Sequence, residues 1–449
     1  MSDNIFRTGS VLGVYGLGKT GKSVADFLNK KSYALRLFDD SPTEDTKSFA
    51  SSLGLKIFSC RDNDDCQTHL EDLDVIIPAP GLPDTHVALQ YAQLESLPIH
   101  GEFDLASQYD ERSCIAVTGT NGKTTVTMMI DQMLNLSGIK TKAVGNTAIP
   151  LIEAIQDSST AKFVVEASSF RLGQSQKFSP DIGVWLNFSP DHLDVHSGIG
   201  SYESAKARIW KNISETQMAL ANADDPVVLS YKPLKGKFRT FGLRTGDSTL
   251  SNGYLTVENE KLIKADELSR NAPHDVSNAL AAATAAIHSG ADLGAIKETL
   301  RTFKHLPHRI ELVAEHHGVR WYNDSKSTSP HSVIAAVENF NKLVLIMGGR
   351  NKGLDLKIIE KVLDRVEHLI VTGEAAKELT EIFSHKVNVS PVFSMQEAIE
   401  KAYELSSECG VVLLSPGCTS FDWYGNYEER GTDFKKRVME IIKENHVNH

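Results

Sequence analysis

Short apolar runs that end in glycine-bearing turns recur along the chain, and most lead into segments whose apolar residues fall at helical spacing. The run at 11–15 (VLGVY) passes through Gly16-Leu-Gly-Lys-Thr-Gly21 into a helical stretch at 22–29. A second run, 34–38, ends at Asp39-Asp40, and a third, 73–77, ends at Pro78-Ala-Pro-Gly81. The pattern restarts at 114–117 (CIAV), which enters Thr118-Gly-Thr-Asn-Gly-Lys-Thr-Thr125 and then an apolar helix at 126–136. Further strands are predicted at 163–165 and 182–186, a hairpin-rich stretch at 225–262 and an alanine-rich helix at 276–288. Beyond Leu306-Pro-His-Arg309, strands at 343–347, 368–371 and 411–415 each precede glycines: Gly348-Gly349, Gly373 and Gly417. Strands that alternate with helices make parallel sheets. The expectation is α/β, with three domains in series: a Rossmann-like N-terminal domain over 1–102, a central P-loop-type ATPase domain over 103–306 and a Rossmann-like C-terminal domain over 307–449.

The length of 449 residues supports that division, because it exceeds what one hydrophobic core serves. The net charge of -11 argues against a nucleic-acid partner, which would call for a basic surface. Five cysteines, an odd number with no CxxC pair, argue against a disulfide framework or a zinc site. Residues 1–10 are polar and no apolar run is long enough to cross a bilayer, so a soluble, cytoplasmic protein with no membrane partner is expected.

The segment 118–125 carries the most specific chemistry. A strand, a glycine turn with a lysine and then a helix make a phosphate cradle: backbone N–H groups close around oxygens and the helix N-terminus favours negative charge. Lys123 would reach the terminal phosphates and Thr124 would hold magnesium. The usual spacing fails, since Val117 stands where the first glycine belongs. Glu166 follows the apolar run 163–165, at the strand end where α/β sheets present functional groups, and suits a magnesium ion beside a phosphate loop. Asn187-Phe-Ser-Pro-Asp-His-Leu-Asp194 follows another strand and offers Asp191, His192 and Asp194. Lys206 lies in a segment of helical spacing, and spacing alone does not single it out. Gly16-x-Gly-x-x-Gly21 with Asp39 about 20 residues on fits a dinucleotide fingerprint, but the same device binds any pyrophosphate, a UDP-sugar included.

Taken in order, these motifs resemble the Mur ligase family over nearly the whole chain. The short loop 118–125 is similar to that family's phosphate loop, Glu166-Ala-Ser-Ser-Phe170 to its magnesium segment, and 187–194 to its Asn-x-x-x-Asp-His-x-Asp block. Tyr202-x-x-x-Lys206 resembles the segment with a carbamylated lysine, and His274-Asp-Val-Ser-Asn278 the adenine-contacting stretch. Pro307-His-Arg309, Asn323-Asp-Ser-Lys326 and Gly348-Gly-Arg-Asn-Lys352 resemble its C-terminal signatures. Within the family, Gly16–Ser23, Ser168-Ser-Phe170, Leu413–Asp422 and Arg430-Gly431 resemble the D-glutamate-adding branch; Arg171 and Ala79 depart from it, where glutamine and serine are common.

The resemblance implies ATP-dependent addition of D-glutamate to UDP-N-acetylmuramoyl-L-alanine through an acyl-phosphate, with ATP and two Mg2+ ions as cofactors, small-molecule partners only, and a monomer. It implies catalytic roles for Lys123, Glu166, His192 and a carbamylated Lys206, with Thr124, Glu166, His192 and Lys206 on metal. ATP would meet Gly119, Thr120, Asn121, Gly122, Lys123, Thr124, Thr125, Asn278, Arg309, Asp324 and Lys326. The UDP-substrate would meet Leu17, Lys19, Thr20, Asp39, Gly81, Asn146 and His192, and the amino acid Thr328, Lys352, Ser420 and Tyr427. Domain closure about 305–309 is expected to accompany turnover. Three alternatives differ in what they leave unexplained. A folate-glutamylating ligase leaves the N-terminal glycine motif without a role. A nicotinamide-dependent oxidoreductase leaves the phosphate loop without one. A non-catalytic nucleotide-binding regulator leaves Glu166, His192 and Lys206 without one.

Overall fold

Leu12, Val14, Val75 and Ile77 are buried in a sheet covered on both faces, the environment that near-continuous apolar strands require. The computed structural model describes residues 9–146, 149–191, 195–304, 307–406 and 409–447, with side chains in the last helix as far as 443. The chain divides into two compact units, Met1–Phe303 and Lys304–His449.

The first unit holds two sheets. One is four-stranded and parallel, in the order Ile57–Phe58, Ala34–Phe38, Val11–Tyr15, Val75–Pro78. The helix after the glycine motif begins at Lys19, three residues before the predicted start, so Lys19, Thr20 and Gly21 form its first turn. Gly21 is required there: a Cβ would lie 1.8 Å from the Gly16 carbonyl oxygen. The strand expected at 73–77 runs Val75–Pro78 instead, because Leu73 fills the space over Gly13 and Asp74 accepts from the Val11 N–H at 2.7 Å.

The second sheet has nine strands, in the order Glu260–Lys264, Tyr254–Val257, Ser248–Ser251, Lys237–Gly242, Met218–Asn222, Ile182–Trp185, Cys114–Thr118, Lys162–Glu166, Thr141–Gly145. Only the two pairings among the last three strands in chain order are antiparallel. The hairpin reading of 225–262 therefore holds from Ser248 onward. Ahead of it, Asp225 caps a short helix, Pro226–Ser230, by accepting from the Val227 and Val228 N–H groups, and Lys237–Gly242 pairs parallel to Met218–Asn222. The alanine-rich helix spans Pro273–His288 and packs on the helix Lys123–Leu136, its small side chains allowing close approach.

The second unit is built on a six-stranded sheet, in the order Glu311–His316, Val319–Asn323, Val411–Gly417, Leu343–Gly348, Val366–Thr372, Asn388–Pro391. Only the first pair is antiparallel. Among the described residues no helix is long and apolar enough to cross a membrane.

Within the first unit, buried charge ties the two sheets together. Asp104 is fully buried and accepts from the N–H groups of Gln176, Lys177 and Phe178 at 2.7–2.9 Å. Glu102 accepts from the Ile152 N–H at 2.8 Å and pairs with the Arg171 guanidinium, which reaches on to Thr20 Oγ1 at 2.9 Å. Both members of the Glu102–Arg171 pair are buried, so removal of one strands the other. Arg171→Met is expected to destabilise the first unit by about 3–5 kcal/mol. Urea unfolding should show this as a lowered midpoint, and Glu102→Gln in the same chain should recover most of the loss.

Candidate active site

The predicted phosphate loop leaves the strand Cys114–Thr118 and enters the helix Lys123–Leu136 with only residues 119–122 between them. Val117 is a fully buried strand residue, which is why a glycine is not needed there. The loop turns at Gly119 (φ 154°) and Gly122 (φ 83°), the second in the left-handed region where a side chain is strained. A Cβ on Gly122 would also lie 2.5 Å from Asn278 Oδ1, so Asn278, on the alanine-rich helix, sits directly against the loop.

Asn187 fixes the loop from the other side. Its Oδ1 accepts from the Asn121 N–H at 2.9 Å and its Nδ2 donates to the Asn121 carbonyl at 3.2 Å. Thr120 Oγ1 donates to the Ser189 carbonyl and accepts from the Ser189 N–H, both at 3.0 Å, and lies 3.2 Å from the Tyr202 hydroxyl. Phe188 is anchored in turn by Asp225, which accepts from its N–H at 2.7 Å. The 187–191 segment and the phosphate loop thus form one hydrogen-bonded body. Neither the role of Asn187 nor that of Asp225 was readable from motif spacing, although Asn187 follows the strand Ile182–Trp185 closely and Asp225 caps the helix Pro226–Ser230.

Two lysines converge on this body. Lys123 Nζ donates to the Gly119 and Thr120 carbonyls at 2.8 Å, and Lys206 Nζ donates to the Gly119 carbonyl at 2.7 Å. Lys206 is only 1% exposed and lies over the Tyr202 ring, 4.5 Å from its centroid. Burial pushes its pKa well below the ordinary lysine value, and the charge of Lys123 adds to this against an opposing pull from Asp191. Burial likewise raises the Tyr202 hydroxyl far above the usual phenol.

Glu166 ends the strand Lys162–Glu166 and is 3% exposed. Its Oε1 accepts from Asn146 Nδ2 at 3.3 Å, while among the described residues its buried Oε2 has no hydrogen-bond donor. A buried carboxylate oxygen in that state calls for a cation, so Glu166 fits the predicted magnesium ligand. Among the described residues no group of three His, Cys, Asp or Glu side chains forms a metal cluster. His192 and Asp194 lie outside the described residues, as does His305 of the expected hinge.

At the first sheet the glycine loop is held by its own neighbours. Leu17 is fully buried, and its N–H donates to Asp39 Oδ2 at 2.9 Å. Thr20 is buried with its hydroxyl on Arg171, whereas Lys19 and Gly81 are exposed. Ala79 donates its N–H to the Tyr15 carbonyl and accepts from Gln174 Nε2 at 3.1 Å.

In the second unit, Asp324 is buried and accepts from Ser327 Oγ, Ser415 Oγ and the Ile310 N–H. Burial raises its carboxyl to about 6, against the lowering effect of these bonds and of Arg309. Lys326 lies 5.2 Å from the Tyr427 ring and Lys352 5.7 Å from the Phe421 ring, while Thr328 is half-buried and Ser420 buried. Arg430 is buried and spans Ser325, Cys418 and Gly348 with its guanidinium, a structural clamp that the Arg430-Gly431 motif had not revealed. His308 and Ile310 flank Arg309 with positive φ of 62° and 45°. His308 packs where a Cβ on Gly431 would stand, 2.1 Å from its Nδ1.

Three family models match the chain. The MurD-like N-terminal domain of Mur ligases matches residues 11–101, the Mur ligase middle domain 117–286, and the Mur ligase glutamate ligase domain 308–418. The UDP-N-acetylmuramoylalanine–D-glutamate ligase of Thermoanaerobacter pseudethanolicus is 35% identical over 445 residues, covering 95% of this chain and 98% of that one. The ligase of the same name from Pelotomaculum thermopropionicum is 34% identical over 450 residues, covering 96% and 97%. Among solved structures, the UDP-N-acetylmuramate-alanine ligase of Thermotoga maritima has a TM-score of 0.60 at 20% identity, covering 96% of this chain and 99% of that one, a likeness of fold. With three models in register and relatives spanning almost the whole of both chains, this chain belongs to the Mur ligase family, ATP-dependent ligases that form amide bonds on three α/β domains in series.

Proposed function

We propose that this chain adds D-glutamate to UDP-N-acetylmuramoyl-L-alanine at the expense of ATP, in the synthesis of peptidoglycan precursors. The observation that carries the reading is the body formed by the phosphate loop, Lys206 and the 187–191 segment, with Glu166 at the end of a neighbouring strand. The relatives that carry the D-glutamate ligase name support the choice of substrate.

In this reading a terminal carboxylate oxygen attacks the γ-phosphorus of ATP, and ADP leaves. The amine of D-glutamate then attacks the acyl-phosphate carbonyl, inorganic phosphate departs and the nitrogen loses its proton. Negative charge accumulates in both steps, so catalysis is chiefly electrostatic and positional. Lys123 and the loop N–H groups of residues 119–125 hold the ATP phosphates, with Asn278 beside the adenine. Thr124, Glu166, His192 and Lys206 are assigned to two magnesium ions, which supply charge neutralisation at the transferring phosphoryl group. Asn146 and His192 orient the sugar-linked substrate, and Leu17 (through its backbone), Lys19, Thr20, Asp39 and Gly81 hold its UDP end. Arg309, Asp324 and Lys326 are assigned to the nucleotide, and Thr328, Lys352, Ser420 and Tyr427 to the amino acid.

Lys206 is assigned as the carbamate. Addition of CO2 to its neutral amine, with loss of one proton, turns a buried lysine into an oxygen ligand. Its burial beside Lys123 supports this, since desolvation and the neighbouring ammonium on the same carbonyl oxygen both favour the neutral amine that reacts with CO2.

The deciding assay is phosphate release with ATP, magnesium and UDP-N-acetylmuramoyl-L-alanine against a panel of amino acids that includes both glutamate enantiomers. Release with D-glutamate alone is the expected result; release with a different amino acid would overturn the choice of substrate, and none at all would overturn the ligase reading. Lys123→Ala should lower turnover by about 10²–10³-fold or more with the circular dichroism spectrum unchanged. Lys206→Ala should be comparably impaired and partly restored by a short-chain carboxylic acid. A mass spectrum of fully active enzyme with unmodified Lys206 would refute the carbamate.

A further inference from the structure

His196 is a nearly buried imidazole with both ring nitrogens engaged. Its Nδ1 lies 3.1 Å from Asp84 Oδ2 and its Nε2 lies 2.9 Å from Ser169 Oγ. The ring is stacked on Phe170 at 5.5 Å and tilted against Tyr202 at 5.3 Å. Asp84 belongs to the loop that leaves the first sheet after Pro78, three residues beyond Gly81. It also accepts from Ser201 Oγ at 2.6 Å and from the Ser197 N–H, and its own N–H donates to the Val195 carbonyl at 3.0 Å. Ser197 and Ser201 stand at the start of the helix Ile199–Ala207 that carries Lys206. Ser169 opens the helix Ser169–Gln174, three residues after Glu166. Tyr202 is the residue that lies against both Thr120 and Lys206.

One carboxylate and one imidazole therefore connect the Gly81 loop, the Lys206 helix, the Glu166 segment and the phosphate loop. We infer that Asp84 and His196 form a positioning relay, which transmits the placement of the Gly81 loop to Ser169 and the nucleotide-binding side of the second sheet. The inference rests on the ligase reading above, in which that loop holds the UDP end of the substrate. The chemistry is directional. Asp84 accepts only, so it selects the tautomer with the proton on Nδ1. Nε2 then accepts from the Ser169 hydroxyl, at the start of the helix that follows Glu166. With ring faces packed on Phe170 and Tyr202, the imidazole cannot rotate without disturbing both helices.

The test uses the full chain with Asp84→Ala, His196→Ala, the double variant, Ser169→Ala and Asp84→Asn. Glu153→Ala serves as a control, since exposed Glu153 accepts from Ser23 Oγ at 3.0 Å and so joins the same two layers without entering the relay. Two quantities are read: turnover, and magnesium-dependent binding of a non-hydrolysable ATP analogue by calorimetry. Asp84→Ala, His196→Ala and Ser169→Ala are each expected to weaken analogue binding and to lower kcat by about threefold to tenfold. The double variant should be no worse than the worse single one, Asp84→Asn should recover most of the loss, and Glu153→Ala should match the parent chain. Ser169→Ala removes only the far end of the relay and leaves every bond of Asp84 to the Lys206 helix, so it decides the matter should Asp84→Ala fail to fold. Analogue binding equal to that of the parent in Ser169→Ala, or losses that multiply in the double variant, would overturn the relay. Absence of turnover in the parent chain would count against the ligase reading, while the binding comparison would still decide the relay.

Discussion

Parallel pairing in the centre of the second sheet sets the level of everything functional on it. Val117 faces Glu166 across one pair and Thr118 faces Trp185 across the next, so the ends of three strands reach the same edge together. A slip of one residue would turn every side chain on the slipped strand to the opposite face. The place of the glycine loop, of the Glu166 carboxylate and of the Asn187 segment is consequently one structural fact, maintained by a core that includes Ala116, Val165 and Trp185.

Charge follows from that placement. The chain as a whole is acidic at -11, yet at this edge two lysines point at a single carbonyl oxygen beside a helix N-terminus. Lys123 and the loop N–H groups at the helix N-terminus thus gather positive partial charge within a chain that is acidic as a whole. Among the described residues the Glu166 Oε2 has no donor, so a buried acceptor and the donors of the glycine loop follow adjoining strands.

How much of this could be read from the sequence depended on the range of the interaction involved. The apolar runs at 11–15, 114–117 and 343–347 became strands because burial on both faces needs only local composition. The glycine loop was legible despite its short spacing because backbone geometry constrains neighbouring residues. Leu73 was misread as strand because its packing over Gly13 is invisible in a one-dimensional pattern. The importance of Lys206 came from resemblance and not from spacing, since its burial depends on Tyr202 and on a carbonyl 87 residues away. Asp84, His196 and Arg171 carried no local signal: their partners lie 112 and 151 positions distant for His196–Asp84 and Arg171–Thr20. Polar networks of that range are specified by tertiary packing.

The Arg171 pairing bears on how such a chain can be recombined. The arginine lies in the helix Ser169–Gln174 that follows a strand of the second sheet, its counter-charge Glu102 opens the helix Glu102–Tyr109, and the hydroxyl it reaches belongs to the glycine-motif helix of the first sheet. The N-terminal domain is therefore not a cassette that can be exchanged by splicing at the linker. A transplant of residues up to about 100 from a relative with glutamine at position 171 would bring in a surface matched to a neutral amide and leave a guanidinium to find new acceptors. Thr20, Glu102 and Arg171 form one hydrogen-bonded unit that cuts across the division between the two sheets, so a change at any one of the three alters the surroundings of the other two.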